Sequence, residues 1–281
     1  MAVKIISDST CDLSKELLEK YGIAIAPLTV TLGQFSGHDG IDVTPEKIYD
    51  YVNQTGDLPK TSAVSTGEYE ALFRFWRDQG FEIVHFNISD HFSASFRNAC
   101  AAAEVIGGVE VVDSANLSTG QGLLVLYAAE LAQTGKSAAE IANNCRITAS
   151  RIEASFVVNT IDYLRKGGRC SALAAVSASL LHIKPCIEVK DGAMHPVKKY
   201  HGNINHVIHS YAEDRLKNRT DIDPQRIFIT HTHCDEQIVE EVRSIIQHYQ
   251  PEIKEILETT AGATITTHCG PGTLGVLFIR K

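Results

Sequence analysis

Near its end the chain carries Thr266-Thr267-His268-Cys269-Gly270-Pro271-Gly272-Thr273-Leu274-Gly275-Val276-Leu277-Phe278, a glycine-rich turn led by a histidine and running into an apolar strand. Gly270 and Gly272 leave no Cβ on either side of Pro271, so backbone amides there are expected to approach a ligand closely. Thr273 adds a hydroxyl and His268 a titratable ring. The same residues are also ordinary turn chemistry ahead of a terminal strand. Which reading holds depends on what the rest of the chain brings to this turn.

Upstream, short β-rich apolar runs alternate with amphipathic helical patterns. Val3 to Ile6, Glu82 to Asn87 and Val109 to Val112 read as strands, while Thr66 to Gln79, Ser95 to Ile106 and Thr119 to Thr134 read as helices. This alternation predicts a parallel sheet with helices on its faces, and such sheets place ligands beyond the carboxyl ends of their strands. Ser7, Ser89 and Asp113-Ser114 stand at those ends. One more helix is expected from about Ser137 to Arg151, after which the pattern changes. Ile183 to Val189 and Met194 to Tyr200 flank Lys190-Asp191-Gly192-Ala193, a hairpin signal. A helix (Ile204 to Lys217), a strand (Arg226 to His231), a helix (Gln237 to Tyr249), a strand (Ile253 to Thr259) and the closing strand follow. The fold class expected is α/β in two domains. A parallel-sheet domain spans residues 1–155 and a mixed-sheet α/β domain residues 156–281, with the ligand between them.

Composition narrows the function classes. With 281 residues, 44% hydrophobic and 21% charged, the chain has the make-up of a globular protein with a large core. A formal net charge of -8 and the lack of any Lys/Arg run longer than two argue against nucleic acid as a partner. Seven cysteines, an odd number with no Cys-x-x-Cys pair, read as reduced thiols. The first residues run straight into a strand pattern, and no apolar run approaches the ~20 residues that span a bilayer. The expected location is the cytoplasm, without stable membrane insertion.

Several motifs point to other chemistries. His231-Thr232-His233-Cys234-Asp235 has the His-x-His-x-Asp spacing of zinc hydrolases, so a metal-dependent hydrolase using His231, His233 and Asp235 is one alternative. Glu236 stands where that class carries a further histidine, and Asp235 has a simpler role as the N-cap of the next helix. Gly120-Gln121-Gly122 lacks the third glycine of a dinucleotide site and reads as close helix packing. No Gly-x-x-x-x-Gly-Lys or Gly-x-Ser-x-Gly sequence is present. Leu164-Arg165-Lys166-Gly167-Gly168-Arg169 reads as a helix ending on a glycine C-cap, with Arg169 near its carbonyl end. The Ala-rich stretch from Ser171 to Leu181 suits close backbone packing or leaves room for an apolar chain.

Taken in order, Ser7-Asp8-Ser9-Thr10, Thr61-Ser62-Ala63-Val64-Ser65-Thr66, Ser89-Asp90-His91-Phe92-Ser93-Ala94-Ser95, the Leu164 to Arg169 segment and the terminal turn resemble the DegV family over essentially the whole chain. These are bacterial fatty-acid-binding proteins, the lipid-presenting subunits of the fatty acid kinase system in phospholipid metabolism. The resemblance implies a carrier rather than an enzyme, with no cofactor. It would hold a long-chain fatty acid in a buried apolar channel and offer its carboxylate to a separate ATP-dependent kinase for acyl-phosphate formation. Carried over residue by residue, it implies Thr61, Ser62, Ser93 and His268 as fatty-acid-binding residues, and Arg169 and His201 as contacts to phosphate or the partner. Two departures stand out: Ser93-Ala94-Ser95 replaces a frequent Ser-Gly-Thr, and His201 stands where many members carry arginine. A small-molecule-binding regulator with a different ligand is the remaining alternative.

Overall fold

In the computed structural model, residues 2–170 and 183–281 are described. The Ala-rich stretch from Ser171 to Leu181 lies outside them. Three sheets organise the described residues. A four-stranded parallel sheet in the order β2-β1-β6-β7 is built from β1 (Val3–Asp8), β2 (Ala24–Ala26), β6 (Glu82–Asn87) and β7 (Val109–Asp113). A small antiparallel sheet in the order β4-β3-β5 joins β3 (Thr29–Leu32), β4 (Phe35–His38) and β5 (Lys60–Ser62). The third sheet is mixed and six-stranded, in the order β10-β9-β8-β13-β11-β12. Its strands are β8 (Ile152–Val157), β9 (Ile183–Lys190), β10 (Ala193–His201), β11 (Ile222–Thr232), β12 (Glu255–Thr260) and β13 (Thr273–Arg280), with only β11 and β12 parallel. The expected parallel and mixed sheets are both present. Residue 155 lies inside β8, so the chain passes from one sheet system to the other a few residues earlier.

The helices begin and end where local chemistry dictates. α3 (Thr66–Arg77) opens on a capping box in which Ser65 and Glu68 satisfy each other's backbone amides. α6 (Ala138–Ala149) does the same with Ser137 and Glu140. α1 (Lys15–Tyr21) and α2 (Pro45–Thr55) end on left-handed Gly22 and Gly56. The other helices among the described residues are α4 (Ser95–Ile106), α5 (Ser118–Gln133), α7 (Asp162–Gly167), α8 (Ile204–Leu216), α9 (Glu236–Tyr249) and α10 (Ala263–Cys269). None of those described is long and apolar enough to cross a membrane.

α5 ties the halves together. It is apolar almost all round and buried from Ser118 to Leu126. At Gly122 an added Cβ would sit 2.8 Å from the carbonyl oxygen of Cys11, so the close packing read from Gly120-Gln121-Gly122 is what the helix uses these glycines for. The largest buried cluster runs from Val84 and Phe86, through Leu123 and Leu124, to Phe156, Phe228 and Leu277. The two sheet systems therefore share a core, and the loops that meet above it form the site.

Candidate functional site

Three separate segments converge on one cavity. The first is β5, whose Thr61 pairs with Val30 and Ser62 with Thr29 in the small sheet. The second is the loop after β6. Asp8, fully buried at the carboxyl end of β1, accepts the Ile88 amide at 2.8 Å and so fixes where this loop starts. Ser89 then donates to the Gly192 carbonyl at 2.7 Å, which joins the loop to the β9–β10 hairpin. Further along, Ser93 accepts the Ser95 amide at 3.2 Å and pairs hydroxyl to hydroxyl with Ser95 at 2.9 Å. The third segment is α10 together with α7, which bring His268 and Arg169.

His268 is the centre of this arrangement. Its Nε2 lies 2.9 Å from Thr61 Oγ1, while Nδ1 is buried with no hydrogen-bond partner. An added Cβ on Gly167 would stand 2.5 Å from Nδ1, so the ring occupies space that only glycine leaves open. Burial, reinforced by the nearby Arg169 cation, pushes the imidazole down to about 4, and the ring is neutral at pH 7. Arg169 is exposed and anchors itself by donating from Nη1 to the Gly167 carbonyl at 2.7 Å. It follows Gly168, the left-handed C-cap of α7, as the sequence reading placed it.

These residues line a cavity of about 50 Å³. Thr61, Ser62, Ser93, Thr264, Arg169 and His268 supply its polar groups. Leu28, Ile88, Phe92, Leu117, Leu164, Met194, Ile265 and Cys269 supply most of its apolar wall. A second cavity of about 30 Å³ shares Leu117, Ile265 and Cys269, so these three stand between the two, and it continues against Phe156 and Leu277. Thr61, Ser62, Ser93, His268 and Arg169 are thus brought together from positions far apart in the chain. His201 is not among the lining residues. It is the exposed last residue of edge strand β10, paired with Ile183 and seven residues, about 20 Å of strand, beyond Met194. Sequence reasoning missed Thr264 and the apolar wall, because no local pattern marks a residue that faces a cavity.

Two further expectations change. The Gly270-Pro271-Gly272 amides do not face a ligand. Gly270 donates to the Thr266 carbonyl at 2.9 Å and Gly272 to that of Thr232 at 2.7 Å, and the Thr273 hydroxyl bonds the Cys269 carbonyl at 3.0 Å. The left-handed Gly270 instead makes room for Tyr163 of α7, whose Cδ2 would be 2.6 Å from an added Cβ. The turn seats α7 against α10. The zinc reading also fails, because its three side chains turn to different neighbours. His231 faces Glu258 at 3.4 Å, the His233 ring lies 5.4 Å from that of Tyr49, and Asp235 accepts from Asn205 at 3.4 Å. Among the described residues no group of three or more His, Cys, Asp and Glu is placed to hold a metal. Asp235 is the N-cap residue of α9, although its carboxylate makes no capping bond.

Comparison with known proteins agrees with the geometry. The DegV family model matches residues 2–281. A DegV domain-containing protein of Caldanaerobacter subterraneus subsp. tengcongensis is 30% identical over 282 residues, covering 99% of each chain. Among solved structures, a fatty-acid-binding DegV family protein from Thermus thermophilus superposes with a TM-score of 0.89 at 27% identity, covering 100% of both chains. DegV from Bacillus subtilis, described as a fatty acid binding protein, superposes with a TM-score of 0.83 at 26% identity, again over 100% of both chains.

Proposed function

The chain belongs to the DegV family, and from that premise we propose that it binds one long-chain fatty acid and presents the carboxylate to a separate ATP-dependent fatty acid kinase. The observation that carries this reading is the meeting of Thr61, Ser62, Ser93 and a neutral His268 in one cavity whose remaining wall is mostly apolar. A carboxylate leaving water needs several donors, and hydroxyls supply them without the tight bidentate grip of an arginine. When His268 Nε2 carries the ring proton, it donates to Thr61 Oγ1 and leaves the threonine proton free for the ligand. Looser capture of this kind suits a carrier that has to release its cargo.

The tail supplies most of the affinity. At about 0.8 kcal/mol per buried CH₂, a long acyl chain gains on the order of 10 kcal/mol before ordering costs. Cavities of about 50 and 30 Å³ are well below the roughly 300 Å³ of a small-molecule pocket. Leu117, Ile265 and Cys269 therefore have to part for the chain to pass, which joins the two cavities into one channel. The solved relatives from T. thermophilus and B. subtilis are described as fatty-acid-binding, which favours the same ligand class here. Phosphoryl transfer is assigned to the partner, in the cytoplasm. The fatty acid carboxylate attacks the γ-phosphorus of ATP, ADP leaves, and Arg169 stands at the exposed end of the site where charge would develop. The test is organic extraction of the purified protein followed by mass spectrometry, and rebinding of a series of free fatty acids to the stripped protein. Recovery of a fatty acid near one per chain is expected. Finding neither extracted nor rebound acyl species would leave the regulator with another ligand as the better reading.

A further inference from the structure

α10 is an unlikely helix on its own chemistry. Its seven residues, Ala263-Thr264-Ile265-Thr266-Thr267-His268-Cys269, include four β-branched ones, and it is far shorter than the ~12 residues an isolated helix needs. Its N-cap is Gly262, which has no side chain to satisfy the first amides. Two carboxylates from the other half of the chain do so instead. Gly262 N–H donates to Asp12 Oδ1 at 2.8 Å, and Ala263 N–H donates to Asp39 Oδ1 at 2.8 Å. Each carboxylate is held from behind: Asp12 Oδ2 accepts from Ser118 at 2.5 Å, and Asp39 Oδ2 accepts from Ser9 at 2.9 Å.

Both groups are nearly sealed from water, with Asp12 6% and Asp39 3% exposed. Burying two carboxylates side by side is costly, so their retention at one helix start calls for a role. The positive end of α10 and its free amides offset part of that cost. Gly262 allows both acids to approach, because an added Cβ would lie 3.1 Å from Asp12 Oδ1 and 3.2 Å from Asp39 Oδ1. The opposite end of the helix carries His268 against Thr61, and Ile265 and Cys269, four apart on one face, stand between the cavities. A shift at the carboxylates therefore moves the head-group site and the partition together.

We propose that Asp12 and Asp39 are positioning residues which, through α10, hold His268 in register with Thr61 and set the fatty-acid head-group site. The consequence for affinity rests on the fatty-acid reading, whereas the consequence for His268 does not. The pair acts at a distance, since neither carboxylate lines the cavity.

The experiment compares Asp12→Ala, Asp39→Ala, Asp12→Asn, Asp39→Asn and Gly262→Ala with the parent, using His268 imidazole ¹⁵N resonances in the ligand-free protein and palmitate affinity. The asparagines keep an acceptor oxygen and are expected to preserve the His268 signature, with affinity within about threefold of the parent. The alanines are expected to shift that signature toward an averaged ring and to weaken palmitate about tenfold or more, the factor that 1.4 kcal/mol brings. Val242→Ala, on the buried face of α9, controls for general destabilisation and should change neither readout. If the alanine variants do not fold, Gly262→Ala decides: it keeps both acids but crowds them, and the His268 signal must move. A parental His268 signature in the folded alanine variants or in Gly262→Ala would overturn the inference, as would asparagines no better than alanines. If the parent binds no palmitate while the alanines still displace His268, the clamp stands and the fatty-acid reading fails.

Discussion

Nε2 of His268 and Oγ1 of Thr61 lie 2.9 Å apart although 207 residues separate them in the chain. Neither residue makes a site alone. Thr61 sits on a three-residue strand paired with β3, and His268 on a seven-residue helix whose first amides are held by Asp12 and Asp39. The contact therefore reports whether the halves are correctly assembled, and several measurable consequences come from it.

Gly167→Ala should disturb the site without disturbing the core. The new methyl would stand 2.5 Å from His268 Nδ1, so either the ring or α7 must move by several tenths of an ångström. The left-handed cap is the next residue, Gly168, so the substitution adds no backbone strain of its own. Fatty-acid affinity is expected to fall about tenfold, roughly 1.4 kcal/mol, with a melting temperature within a few degrees of the parent. Isothermal titration beside a thermal melt separates the two, and unchanged affinity would mean that the ring's position does not matter.

Acid should weaken the protein partly through His268. The ring's folded value of about 4 lies below its ordinary 6.5, so the unfolded chain binds the proton first as pH falls. The stability is fully present above about 6.5, is lost between 6.5 and 4, and loses nothing further from this group below that. The slope is at most about 1.4 kcal/mol per pH unit. His85 is also held low, at about 3, by burial among Tyr69 and Phe73, so the measurement is a difference between parent and His268→Asn. Urea denaturation from pH 7 to 4.5 should show the steeper loss in the parent. Parallel curves would mean that the ring is already solvated.

What the sequence disclosed depended on whether the signal was local. β1, β6 and β7, the start of α3 at Thr66, and the Asp191-Gly192 hairpin were legible because each is written within a few residues. The antiparallel sheet β4-β3-β5 was not. Lys60-Thr61-Ser62 carries no apolar alternation and becomes a strand only by pairing with β3. α10 was read as part of a turn because its threonines disfavour a helix and the carboxylates that enforce one come from Asp12 and Asp39. The residues proposed for the head group came from family resemblance. The partition of Leu117, Ile265 and Cys269 had no signal, since it exists only where α5 meets α10.

Ser93→Ala should weaken capture of the head group while leaving the fold intact. Ser93 is half-buried, and the hydroxyl bonds it makes in the free protein are to Ser95, which can shift to other partners. A hydrogen bond to a charged acceptor is worth about 1.5 to 3 kcal/mol, and so a loss of roughly tenfold to a hundredfold in affinity is expected. A fatty alcohol of the same length, which carries no charge, should lose much less. Equal losses for acid and alcohol would place Ser93 against the tail.

The phosphorylation step should separate Arg169 from His268. The chain has no phosphate-cradling glycine loop, so the protein alone is expected to leave ATP unconsumed, and acyl-phosphate should form only when a fatty acid kinase is added. Arg169 is exposed and its guanidinium is anchored on the Gly167 carbonyl, so Arg169→Ala should retain most of the fatty-acid affinity and lose phosphorylation by tenfold or more, the factor that 1.4 kcal/mol in the barrier brings. His268→Ala removes the partner of Thr61 from inside the site, so binding and phosphorylation should fall together. A coupled assay of kinase, ATP and loaded carrier measures turnover, while titration of each variant with palmitate measures binding. Full phosphorylation by Arg169→Ala would remove that residue from the transfer step. ATP turnover by the carrier without kinase would overturn the division of labour itself.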